Sequence, residues 1–341
     1  MRHHNRITCG ILTMCLSAGI ILTGCAGAVP AVTPGDTDVS VDTESPGDIP
    51  EASDSTGTEE AEVQQDKPVK GSRDNTSQVL IPEADGVTAY DDTTVTIDIS
   101  NIDSGYFIIE YKGDNDKPKL QVTGPEAVTY TFDLHGGNET IPLTQGSGTY
   151  QIAAYEHIGD GKYVQLCAVS EDASINNEYS PYLYPNQFVD FKADSNVVKL
   201  GEELAYTAND DLEVVANIYN YIIENITYDV DLATNVKSGY LPVPDETIES
   251  GTGICFDYAA VMASMLRSQQ IPTRLEIGYA GDAYHAWIST YIEEVGWVNG
   301  IVEFNGIDWE LMDPTIAASQ GEKALKSFIG DGSNYVKVYQ Y

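Results

Sequence analysis

Residues 255–270, CFDYAAVMASMLRSQQ, constrain the fold most strongly. Ala259, Met262, Ala263 and Leu266 recur on one face, which predicts a helix of about four turns with one buried side. The run starts just after Gly251-Thr252-Gly253, and glycine permits close backbone approach and unusual dihedrals. Its first residue is a cysteine. A thiol at a helix start faces unpaired N–H groups and the positive end of the helix dipole. Such a place lowers a cysteine pKa from about 8.5 to roughly 3.5–7.5. Cys255 therefore reads as a nucleophile, since a purely structural cysteine gains nothing there.

A thiolate nucleophile needs a base that carries the proton onward. Downstream the sequence offers His285, in AYHAWIST. The alternation of Tyr284, Ala286 and Ile288 with His285, Trp287 and Ser289 predicts a strand. An imidazole in this role needs a third group to fix its tautomer. Asp313, at the end of the strand-like run IDWELMDPT and held by Pro314, suits that role.

These motifs together resemble the transglutaminase-like superfamily. The likeness runs from Asp210 to about Ile316. It takes in ITYD ahead of the cysteine, Leu266-Arg267, Ile271-Pro272-Thr273-Arg274, His285-Ala286-Trp287 and Asp313-Pro314-Thr315. The resemblance implies a papain-like core, in which a cysteine-bearing helix packs on an antiparallel sheet. It also implies Cys255 as nucleophile, His285 as base and then acid, and Asp313 as orienter. Acyl transfer further needs donors aimed at the developing oxyanion. The Cys255 backbone N–H is one candidate and the Tyr228 hydroxyl another, although Tyr228 also reads as a core aromatic. Asp257 and Tyr258 either line the cleft or face solvent. Trp287 is a cleft wall or a core side chain. Arg274 is a carboxylate binder or half of a structural salt bridge.

The rest of the chain divides by composition. Residues 1–24 carry Arg2 and Arg6, then the apolar run Ile7 to Thr23, shorter than the roughly 20 residues of a spanning helix. The run ends in Leu22-Thr23-Gly24-Cys25, which resembles a bacterial lipobox and implies lipid on Cys25; an ordinary signal peptide or an uncleaved anchor are the alternatives. Residues 25–78 are rich in Asp, Glu, Ser, Thr, Pro and Gly and cannot offset their ordering entropy, so a disordered acidic tether is expected. Residues 79–190 hold short alternating runs such as TTVTIDI, GYFIIEY and VTYTFDL between turn residues, which predicts an antiparallel β-sandwich. Cys167 within KYVQLCAV reads as a small buried hydrophobe. Residues 191–341 hold the transglutaminase-like domain, entered through a helix capped by Asn209 or Asp210 and ending near Asn225. The expected class is thus α+β, a papain-like core preceded by an all-β sandwich-like domain.

The formal charge of −36 argues against a nucleic-acid partner, because phosphate recognition needs Lys and Arg. Cys167 and Cys255, with His135, His157 and His285, do not form a zinc framework, and the acidic residues follow no calcium-loop pattern. No cofactor or metal is therefore expected. The expected partners are a protein or peptide substrate and a membrane, reached through Cys25. The expected activity is acyl transfer from an amide through a thioester, ending in cross-linking or hydrolysis. A catalytically silent surface binding module and a cell-wall peptide hydrolase are the alternatives.

Overall fold

The computed structural model describes residues 68–280, 283–293, 295–299 and 335–341, with the backbone of 5–8, 302–304 and 309–311. Cys25 and Asp313 lie outside the described residues. The first part of the chain builds β1 (Asn5–Thr8), β2 (Thr88–Asp91), β3 (Val95–Asp98), β4 (Tyr106–Tyr111), β5 (Lys119–Thr123), β6 (Thr129–Asp133), β7 (Gly137–Pro142), β8 (Gly148–Gly159) and β9 (Lys162–Ala173). They form two sheets, in the orders β1-β2-β3-β4-β7 and β6-β5-β8-β9. Every pairing is antiparallel except that of β1 with β2. β1 falls in the segment that the sequence assigns to a signal peptide.

Strand alternation explains the sandwich core. In β5, Leu120 and Val122 point inward while Lys119, Gln121 and Thr123 stay half-exposed. Ile97, Phe107, Ile109, Leu120, Ile141 and Ile152 are fully buried in one cluster, each contributing about 1.5–3 kcal/mol. Cys167 is buried in β9 as expected, but it is disulfide-bonded rather than a simple small hydrophobe. Cys255 keeps its thiol outside any disulfide.

The second part builds α1 (Asn196–Leu204), α2 (Asp211–Asn225), β10 (Thr227–Tyr228), α3 (Val230–Asn235), α4 (Pro244–Ser250), β11 (Thr252–Gly253) and α5 (Cys255–Ser268). Then come β12 (Thr273–Ala280), β13 (Ala283–Ile292), β14 (Gly296–Asn299), β15 (Val302–Phe304), β16 (Trp309–Leu311) and β17 (Tyr335–Gln340). The main sheet runs β14-β13-β12-β17, antiparallel throughout. α5 packs against β12 and β13 on one side and meets α1, α2 and α4 on the other. From Ala259 to Ser268 every residue of α5 is buried, so it is a central helix and not a one-sided amphipathic one. The fold is the expected α+β arrangement, a cysteine-bearing helix on an antiparallel sheet. α1 and α4 both pack against α5, and Pro244 opens α4 at its first turn.

Residues 71–78 form an extended strap docked on the helices, although the sequence places them in the tether. Arg73 Nε meets Asp211 Oδ1 at 2.6 Å, and its Nη2 donates to the Gln269 carbonyl at 2.7 Å. Asn75 Nδ2 donates to the Glu202 carbonyl at 2.9 Å, and the Gln78 N–H to the Ser268 carbonyl at 2.7 Å. Composition missed these bonds because they come from a few polar side chains and the backbone, not from apolar burial. Among the described residues, no helix is long and apolar enough to cross a membrane.

Candidate active site

Two glycines and a short bridge set the start of α5. Gly251 ends α4 in the left-handed region, φ 65, with its N–H on the Thr247 carbonyl. The Thr227 N–H then donates to the Gly251 carbonyl at 2.8 Å, and the Asp229 N–H to the Gly253 carbonyl at 2.9 Å. This parallel bridge sets Tyr228 beside Gly253, two residues before the cysteine. A Cβ at Gly253 would lie 2.7 Å from the Asp257 Cβ, so this position takes only glycine without a shift. The chain then turns at extended Ile254, φ −100 and ψ 177, into the helix.

Cys255 is the first residue of α5 and is half-buried. Ile254, at the cap, has no side-chain acceptor for the first-turn N–H groups, unlike the usual Ser, Thr or Asp. The cap is instead closed from inside the helix, where Asp257 accepts the Ile254 N–H at 2.8 Å. Cys255 therefore sits at the positive end of the α5 dipole.

Asp257 neither lines a cleft nor faces solvent. It is 1 % exposed, and burial raises its carboxyl pKa, against the opposing Ile254 N–H and Tyr240 hydroxyl. Tyr258 is buried as well and donates its hydroxyl to the Ile226 carbonyl at 2.6 Å. Burial raises its phenol. Tyr228 is half-buried, its ring centroid 6.3 Å from that of Tyr258.

His285 lies on β13, half-buried, paired with Gly278 of β12. β13 packs against α5, so the strand bearing His285 and the helix beginning at Cys255 are neighbouring layers. At Gly278 the β12–β17 register shifts, and a Cβ there would lie 2.1 Å from the Val336 carbonyl. A bulge therefore sits across the strand from His285, the kind of irregularity that re-aims side chains beside active sites.

Trp287 is a buried sheet residue whose Nε1 donates to Glu276 at 2.7 Å. Arg274 stacks its guanidinium 3.5 Å from the centre of the Trp297 ring and 4.8 Å from that of Tyr182, and among the described residues this cation–π contact stands where a carboxylate partner was expected. At the far end of α5, fully buried Arg267 donates to the backbone oxygens of Thr273, Tyr184 and Tyr341. Burial lowers its pKa to about 9, which leaves it charged at neutral pH. Asp257 had a legible signal, an acidic residue three positions after the cap. Tyr240 and Glu276 had none, because their partners come from remote loops and strands; Arg267 stood in the family likeness as Leu266-Arg267, which did not reveal its backbone partners. Among the described residues, no group of three His, Cys, Asp or Glu side chains is placed to hold a metal.

A model of the transglutaminase-like superfamily core matches residues 198–300. The UPF0252 protein MJ1282 of Methanocaldococcus jannaschii is 27% identical over an alignment covering 47% of this chain and 51% of that protein. The chain thus spans about half the length of that curated relative. A Cytophaga hutchinsonii protein described as a candidate cysteine protease is 18% identical, with a TM-score of 0.32 over 57% of this chain and 69% of that one. The periplasmic domain of TgpA from Pseudomonas aeruginosa is 15% identical, with a TM-score of 0.30 over 77% of this chain and 81% of that one. Red sea bream transglutaminase is 14% identical, with a TM-score of 0.26 over 62% and 53%. At such scores the fold assignment rests on the chain's own elements and on the family match.

Proposed function

We propose, from the match of residues 198–300 to the transglutaminase-like superfamily core, that this chain is a thiol acyl-transfer enzyme acting on protein or peptide amides. The observation that carries the reading is the place of Cys255, the first position of a buried helix within the matched segment. In this reading the Cys255 thiolate attacks the amide carbonyl. The Cys255 backbone N–H and the Tyr228 hydroxyl stabilise the oxyanion. His285, oriented by Asp313, gives a proton to the nitrogen as the C–N bond breaks. Ammonia or an amine leaves, and a thioester remains on Cys255. His285 then takes a proton from water or from a second amine, which attacks the thioester and restores the thiolate. Water gives hydrolysis; an amine gives cross-linking.

Location enters the same proposal. Leu22 to Cys25 supports export and a lipid on Cys25, which puts the enzyme outside the cytoplasmic membrane and tethered to it. The test is mass spectrometry of casein incubated with the protein and a small primary amine, beside a Cys255→Ala control. Amine incorporation that needs Cys255 establishes transamidation, and deamidation or cleavage that needs it establishes hydrolysis. Products that persist in Cys255→Ala, or no product across amide substrates that include cell-wall peptides, contradict the reading and favour a binding module.

A further inference from the structure

Tyr240 reaches the nucleophile's turn from a remote loop. Its N–H bonds the Lys237 carbonyl at 3.2 Å, with Gly239 between them at φ 84. This backbone angle at the third position of a four-residue turn favours glycine. The turn sends the Tyr240 side chain inward, where its hydroxyl donates to one Asp257 oxygen at 2.7 Å. The other Asp257 oxygen holds the Ile254 N–H. The Tyr240 ring also lies edge-on to Phe256, centroids 6.4 Å apart. The residues on either side of Cys255 are thus both tied to Tyr240, Ile254 through Asp257 and Phe256 directly. A carboxylate buried in a first helical turn is costly unless hydrogen-bonded, and Tyr240 supplies one of its bonds.

We propose that Tyr240 and Asp257 are positioning residues for Cys255: the chain Tyr240–Asp257–Ile254 fixes the turn that presents the thiol. The proposal rests on Cys255 being the nucleophile of the reaction above. Among the described residues, the ionisable groups facing this turn are Asp229 before α3, Glu246 of α4, Tyr240 and Tyr258, and His285 lies on the strand packed against α5. Losing the Tyr240 hydroxyl loosens the turn and the hold on the thiol at the start of α5. Neutralising Asp257 while keeping its hydrogen bonds removes a negative charge that opposes thiolate. The two changes therefore push thiol reactivity in opposite directions.

The experiment measures the iodoacetamide alkylation rate of Cys255 against pH in the full chain, for wild type, Tyr240→Phe and Asp257→Asn, with thermal unfolding of each. Tyr240→Phe is expected to alkylate about threefold more slowly at mildly acidic pH, and Asp257→Asn about threefold faster, with shifted pH profiles. Turnover by Tyr240→Phe is expected to fall about tenfold in kcat with KM nearly unchanged. Rate–pH profiles that superimpose on wild type, whatever the unfolding temperatures, overturn the proposal. Alkylation needs no substrate, so a wild type that turns nothing over contradicts the proposed function and still leaves the clamp decided by the profiles.

Discussion

Glu276 and Trp287 face each other across β12 and β13, and the Trp287 indole N–H donates to the Glu276 carboxylate at 2.7 Å. The same carboxylate oxygen accepts the Ser289 hydroxyl at 2.6 Å, and Lys337 Nζ lies 3.3 Å from its partner oxygen. Both Glu276 and Trp287 are buried. A charged group pins the strand two residues past His285.

Glu276→Leu is expected to destabilise the fold, because it leaves two buried donors without an acceptor, at about 1–3 kcal/mol each. Urea unfolding measures the loss. Glu276→Gln keeps one acceptor and is expected to cost less. Equal midpoints for wild type and Glu276→Leu would mean that the bonds contribute nothing.

Arg267 ties α5 to the start of β12, to the segment leaving the sandwich and to Tyr341, through backbone oxygens alone. Arg267→Met removes every one of these donors from the core and is expected to cost about 3 kcal/mol or more. Arg267→Lys is expected to rescue little, since an ammonium cannot reproduce the planar fork. Thermal unfolding of both variants checks this.

Asp257 gives a pH dependence with a definite sign. Burial raises its folded pKa above the ordinary 3.8. Its contribution to stability is therefore complete below the unfolded pKa and is lost as pH rises through the folded one. Asp257→Asn can still accept from Ile254 and can donate to the Tyr240 oxygen. It is expected to melt at or above wild type near pH 7, with the gap closing toward pH 4 and below. Unfolding temperatures across that range are the measurement, and a gap that widens on acidification contradicts the assignment.

Tyr228 stands beside Gly253 through the β10–β11 bridge. As an oxyanion donor, its loss in Tyr228→Phe is expected to lower kcat by about 10²–10³ with little change in KM. A change confined to stability would make it the core aromatic that its position also allows.

Much of this was legible in the sequence. α2 starts and ends where its Asp210 cap and apolar spacing predict, and the alternating runs became β3, β4, β5, β6, β8 and β9. Local signals sufficed there because period and caps act within a few residues. The helix beginning at Cys255 was legible for the same reason. The docked strap was not, because Arg73 finds Asp211 and Gln269 only after folding. Nor was the role of Tyr240, whose partner Asp257 lies across α4 and the glycine turn. Short α4 was hidden by its polar composition. β7, GNETIP, is polar along most of its length and takes its place from pairing with β4.

The most direct test of the account is to trap the acyl-enzyme. The protein is mixed with an amide substrate, quenched in acid and mapped by peptide mass spectrometry. The account predicts an acyl adduct on the peptide bearing Cys255, released by hydroxylamine as a thioester and absent from Cys255→Ala. Product that forms while the adduct sits on another residue, or that survives Cys255→Ala, would contradict it.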